Sequence, residues 1–146
     1  MRWLRIILGM AMLGVVIVSC APSGPSTPAP SISEILEALE TKVNEKDLEG
    51  VVALFAEDAV WEESYKINHT YEGIQNIERG WEVYFMTPVT SEFRDISVEG
   101  DTATFTWVEF RSAMTKLWPT IIEVQDGKIT HIEWPEDAVR ESTELE

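Results

Sequence analysis

The stretch Asp47 to Glu63, DLEGVVALFAEDAVWEE, changes its hydrophobic period partway along, and that change limits the folds open to the chain. Leu48, Val51, Val52 and Phe55 recur at helical spacing behind Asp47, whose carboxylate can cap the free N–H groups of a first turn. After Glu57-Asp58 the pattern alternates. Ala59, Trp61 and Tyr65 take one side of an extended strand, and Val60, Glu62 and Ser64 take the other. Glu63 falls on the side of Ala59 and Trp61. A carboxylate among core-facing residues is either a hydrated rim group or a placed functional group.

On either side of this stretch the chain punctuates itself. Ser31 followed by Glu34 forms a capping-box pattern, and Ile32, Ile35, Leu36, Leu39 and Val43 then predict a helix to about Glu45. Lys66 to Thr70 is polar and reads as a loop. Tyr71-Glu72-Gly73 leads into a third helix bearing Ile74, Ile77, Trp81 and Phe85, stopped by Pro88. From Val89 onward strands are expected. Thr90 to Val98 alternates irregularly near Arg94-Asp95, which predicts a bulge. Gly100-Asp101 turns into Thr102 to Met114, where Ala103, Phe105 and Trp107 share a face with Glu109 and Arg111. Lys116 to Gln125 follows, with Pro119 marking a bulge or an unpaired position. Asp126-Gly127 is a two-residue hairpin turn into Lys128 to Trp134, and Pro135 ends that strand. Helices first and antiparallel strands after make an α+β order.

A helix ending in VVALFAEDAVWEE, then YEG, a helix containing WEVYF, and strands such as GDTATFTWVEF and IIEVQDGKITHIEW resemble the SnoaL-like branch of the NTF2-like superfamily, over roughly Ile32 to Trp134. The resemblance implies a cone: three N-terminal helices packed on a curved antiparallel sheet around a pocket. It does not imply one activity, since this superfamily includes isomerases, cyclases, dehydratases, epoxide hydrolases and many non-enzymes.

The ends of the chain point to the cell envelope. Met1 to Ser19 reads as an export leader, with Arg2 and Arg5 ahead of an apolar run, Ile6 to Val18, that falls short of the ~20 residues a membrane-spanning helix needs. Ile17-Val18-Ser19-Cys20 resembles a bacterial lipobox. That resemblance implies that Cys20, the only cysteine, is acylated (palmitate or a similar chain) after cleavage and anchors the protein in a lipid bilayer. In a host with two membranes, the outer one is expected. Residues 20–30 form a Pro/Ser-rich tether, rising about 3.1 Å per residue if extended. The domain then spans residues 31–135, and residues 136–146 form an acidic tail. A formal net charge of −15, deepened by loss of Arg2 and Arg5 with the leader, disfavours nucleic acid as a partner.

For chemistry, Glu63 is the candidate catalytic base. The resemblance to ketosteroid isomerase, through Asp47-Leu48-Glu49-Gly50 and Ala53-Leu54-Phe55-Ala56, places the family's proton-moving carboxylate at Glu63, its oxyanion tyrosine at Leu39 and its oxyanion acid near Thr120. Leu39 and Thr120 cannot serve as those donors do, so only a cofactor-independent base remains, with Tyr84, Thr120, Arg111 or His69 as the second polar group it would need. The alternative for Glu63 is a carboxylate at the pocket mouth, hydrated or paired with Arg111 or another cation. His131 is expected on the outer sheet face and His69 in the loop after the first strand. No spacing calls for a metal or a cofactor. Trp61, Trp81, Tyr84, Phe105, Trp107, Trp118 and Trp134 are the candidate ligand-binding residues. The same aromatics could instead fill a core or pair two copies as a homodimer. The preferred reading is a tethered binder of a small, largely apolar ligand, ahead of a Glu63 enzyme of isomerase, cyclase or dehydratase type and of a protein-interaction module.

Overall fold

The computed structural model describes residues 28–64, 69–112 and 114–135. The expected leader, Cys20, most of the tether and the acidic tail lie outside the described residues.

Helix α1 spans Ile32–Glu45 and opens on the expected capping box. The Glu34 N–H reaches Ser31 Oγ at 3.3 Å, and the Ser31 N–H returns to Glu34 Oε2 at 2.7 Å. Helix α2, Leu48–Val52, is a single turn capped by Asp47, which accepts from the Gly50 N–H at 2.9 Å. It stops before Phe55, which the helical spacing had included. Phe55 instead begins β1, Phe55–Glu63, because its neighbour Leu54 offers its carbonyl to the Ile129 N–H and the chain is drawn into a sheet. A short strand, β2, His69–Glu72, takes in the last two residues of the expected Lys66–Thr70 loop and the Tyr71-Glu72 lead into the third helix, and borrows its order from antiparallel pairing with β1. Helix α3, Ile74–Phe85, ends ahead of Pro88.

Four strands complete the sheet: β3, Thr90–Glu99; β4, Thr102–Arg111; β5, Met114–Gln125; and β6, Lys128–Trp134. Met114 thus belongs to β5 rather than to the end of β4. The six strands lie in the order β2-β1-β6-β5-β4-β3. Every pair is antiparallel except β1 and β6, which run parallel. The bulge expected in β3 falls between Arg94 and Ser97, where Asp95 takes φ 55°. Further register shifts in β1/β6 and β5/β6 add to the bending of the sheet. Pro119 makes no bulge against β4, where it stays in register opposite Thr106. Its other edge lies beyond the last β5–β6 pair, Ile121 with Glu133, so its missing N–H breaks no bond there. At the β5–β6 turn, Asp126 and Gly127 both have positive φ, as a tight hairpin requires.

Helices α1 and α3 cover one face of this curved sheet, an NTF2-like α+β arrangement. Leu39, Val51, Ile77, Trp81, Trp107, Ile122 and Ile132 are fully buried between the layers. Each large aliphatic side chain removed from water there stabilises the fold by about 1.5–3 kcal/mol.

Candidate ligand site

Strand alternation sends one set of side chains inward at one end of the sheet: Trp61 and Glu63 from β1, Trp134 from β6, Trp118 and Thr120 from β5, Trp107 and Glu109 from β4. Helix α3 adds Trp81 and Tyr84 from above. The seven aromatic residues expected to bind a ligand come together in one cluster. Trp61 lies 5.0 Å from Trp81 and 5.3 Å from Trp134, edge to face with the latter. Trp107 stacks 6.0 Å from Trp81, and Trp118 stacks 5.6 Å from Trp134. Tyr84 meets both Trp81 and Trp107 edge-on, and Phe105 lies 6.4 Å from Trp107. All seven point inward in the same protomer, and their rings occupy ground that the cone would give to a pocket.

The polar atoms of these rings are treated unequally. Trp107 donates its indole N–H to Ser91 Oγ at 2.9 Å. The indole nitrogens of Trp61 and Trp81 are buried and have no hydrogen-bond partner among the described residues. Such a donor, removed from water and unmet, costs about 1–3 kcal/mol.

Beside the rings lies a polar group organised by a carboxylate that alternation placed on one face with Ala103, Phe105 and Trp107 but did not single out. Glu109 is 1% exposed, in line with Ala103, Phe105 and Trp107. Its Oε2 accepts from Arg111 twice, at 2.8 and 3.3 Å, so its charge is balanced on its own strand. The Tyr84 hydroxyl sits 3.2 Å from Ser91 Oγ. Burial, and then the charge of Glu109, hold that hydroxyl well above the ordinary tyrosine range, while Ser91 and Trp107 pull the other way. Ser91 is itself fixed by Asn44 of α1, which donates to its carbonyl at 2.8 Å and accepts from its N–H at 2.7 Å. The signal that could have found Glu109 was a carboxylate in phase with three core-facing apolar residues and followed two positions later by arginine.

Glu63 is half-buried at the end of β1. It stands opposite His69 on β2 and beside Trp134 on β6. Its charge acts on Tyr71, whose hydroxyl is pushed up by burial and then by the Glu63 charge. His69 leans edge-on against Tyr71 at 4.4 Å. The other groups weighed as its companions make contacts of their own: Arg111 with Glu109, Tyr84 with Ser91, and Thr120 with the Trp118 carbonyl at 2.9 Å. Leu39, at the position of the family's oxyanion tyrosine, is fully buried in the apolar core. His131 lies on the outer face, 3.8 Å from Glu62. Among the described residues no three potential metal ligands gather.

Two adjoining grooves open at the lip of this end. One, of about 360 Å³, is lined by Thr87, Pro88, Arg111, Ser112, Met114 and Lys116. The other, of about 510 Å³, shares Pro88, Arg111 and Ser112 and adds Lys46, Thr90 and Phe110.

Helices laid on one face of a bent, mixed sheet, with inward strand residues converging at one end, define the NTF2-like class. Residues 36–132 match the SnoaL-like domain family, and the chain belongs to that family. Among solved structures it is similar to a candidate polyketide cyclase from Sinorhizobium meliloti, with 21% identity over 68% of this chain and 91% of that one, at a TM-score of 0.60. It is also similar to the epoxide hydrolase/cyclase-like enzyme SalBIII of pyran ring formation in the polyether salinomycin, with 20% identity over 69% and 86% and a TM-score of 0.62. A de novo designed protein with a curved β-sheet is as similar, at 22% identity over 74% and 88% and a TM-score of 0.61. A designed protein shares the architecture to the same degree, so these likenesses speak to fold alone. No curated protein matches the chain in sequence.

Proposed function

We propose that this domain binds a small, largely apolar molecule carrying a hydrogen-bond acceptor, and that it does so while tethered to the bacterial envelope through acylated Cys20. The observation that carries the reading is the pair of buried indole donors, Trp61 and Trp81, without acceptors among the described residues and surrounded by rings. A guest that brings a carbonyl or ether oxygen between the rings offsets the cost of those donors and adds apolar burial. The cluster is closed, with Trp118 and Trp134 each only 3% exposed, so a guest must part the rings to enter.

The tether fits this reading. Pro30 and Ala29 lie against the β5–β6 turn, where an added Cβ at Gly127 would come 2.6 Å from Pro30 Cδ. Strand β6 runs from that turn to Trp134, a rise of about 20 Å at ~3.3 Å per residue. The aromatic end lies at the far end of β6 from Pro30, and in this reading it is the end turned away from the bilayer. The test is to purify the mature chain from its own envelope and examine it by native mass spectrometry. A stoichiometric small-molecule adduct released on unfolding supports the reading; a bare protein mass across several growth conditions opposes it.

A second reading, proton transfer by Glu63, draws on its half-buried place opposite His69 and on its electrostatic reach to Tyr71. The solved structures named as cyclases keep it in view. Turnover of a candidate substrate that is lost in Glu63→Gln while ligand affinity is kept would favour it over simple binding.

A further inference from the structure

The grooves at the aromatic end differ in charge from the rest of the surface. The chain has 26 acidic and 11 basic residues. Three other surface depressions follow that bias: one is bordered by Glu57 and Glu72, another by Glu34 and Glu37, a third by Glu37 and Glu40. The two grooves at the lip have no carboxylate in their lining and contain Lys46, Arg111 and Lys116.

Arg111 is also held for use. Buried Glu109 takes its Nε and one terminal nitrogen through a single oxygen, which fixes the plane of the guanidinium. Its other terminal nitrogen has no acceptor among the described residues, and the side chain remains 29% exposed toward the grooves. A guanidinium oriented by a buried acid and open on its far edge is prepared for an oxyanion. Lys46 is anchored at the same lip, donating to the carbonyls of Phe85 and Thr87 at 3.1 and 3.3 Å. Lys116 lies over the Trp118 ring, 5.5 Å from its centroid, so a cation and the aromatic cluster meet at one edge. Phe110 and Met114 supply partly exposed apolar surface between them.

We propose that this lip binds the carboxylate of an amphiphilic organic acid whose apolar body lies toward Trp118 and Met114. The inference rests on the small-molecule reading above and gives that ligand a charged head. It also provides selection, because a chain of formal net charge −15 disfavours anions in general, while this lip gathers three cations.

The test uses the full chain in nanodiscs of neutral lipid, with protein-free nanodiscs as the blank, titrated with phenylbutyrate, phenylbutanol and phenylbutylamine. The acid is expected to bind about tenfold tighter than the alcohol, and the amine more weakly than either. Raising salt from about 50 to about 500 mM should remove most of the acid's advantage. The variant Lys46→Gln, which leaves the Glu109–Arg111 pair and the Lys116–Trp118 contact intact, should cut that advantage without changing affinity for the alcohol. Equal binding of acid and alcohol overturns the anionic subsite and leaves the small-molecule reading standing. Binding of neither probe overturns both.

Discussion

Gly80 of α3 lies against Trp61 of β1 with no room for a methyl group: a Cβ at Gly80 would come 2.9 Å from Trp61 Cζ3 and 3.2 Å from Tyr71 Cε1. The helix is pressed onto the sheet at that point, and this contact sets how closely the aromatic cluster packs. Alanine is the better helix former by about 1 kcal/mol. Overpacking a rigid ring costs more, about 1–3 kcal/mol, so Gly80→Ala should be destabilising on balance. Urea denaturation should show a lower midpoint with an unchanged slope, and Gly80→Val should lower it further.

Arg111 and Glu109 should behave as a unit. Arg111→Gln leaves a carboxylate that is 1% exposed without its cation, which should cost about 3 kcal/mol. The double variant Glu109→Gln/Arg111→Gln should recover much of that loss, since two neutral amides can share the site. A double-mutant cycle by chemical denaturation reads the coupling directly; additive losses would mean the pair does not act as one.

Tyr84 makes the fold sensitive to alkali. Its folded pKa is raised above the unfolded value near 10, so the folded chain holds that proton more tightly. The stability this provides is complete below about pH 10 and is lost as pH rises above it, at up to about 1.4 kcal/mol per pH unit. Tyr84→Phe should cost about 1 kcal/mol at neutral pH through the lost hydrogen bond, yet flatten the decline above pH 10. Unfolding free energies measured across that range for both proteins decide it.

Glu63 and Tyr71 offer a smaller titration. Burial is the larger cause of the Tyr71 shift and the Glu63 charge the lesser. Glu63→Gln should therefore lower the Tyr71 pKa without returning it to the ordinary value. Ultraviolet titration of tyrosinate, assigned with Tyr71→Phe, measures the difference.

These residues also mark how far the sequence could be read. The Ser31–Glu34 capping box, the Asp126-Gly127 hairpin and the β3 bulge were legible because each is made by neighbours in the chain. The parallel pairing of β1 with β6 was not, since it joins Trp61 to Ile132 across most of the domain. Strand β2 was hidden because four residues without an apolar alternation acquire their extended form only from the partner strand. At the candidate site, alternation gave the face of Glu109 correctly. Its burial and its importance depended on Arg111, Tyr84 and Ser91 closing around it, which no local pattern announces. The aromatic set was legible as a set, but alternation alone left open whether it lined a pocket, filled a core or paired two copies. Its dense ring-on-ring packing, with two indole donors left unmet, belongs to tertiary structure alone.

The account turns on whether the aromatic cluster admits a guest, and the indole protons report this most directly. In protein labelled with nitrogen-15 at tryptophan, titration with acetophenone should move the Trp61 and Trp81 indole signals downfield and to saturation as a carbonyl oxygen meets them. Trp107, whose N–H is already given to Ser91, should move little. If Trp61 and Trp81 stay in place while only signals at the lip respond, or none does, the cluster is a sealed core and the small-molecule reading is contradicted.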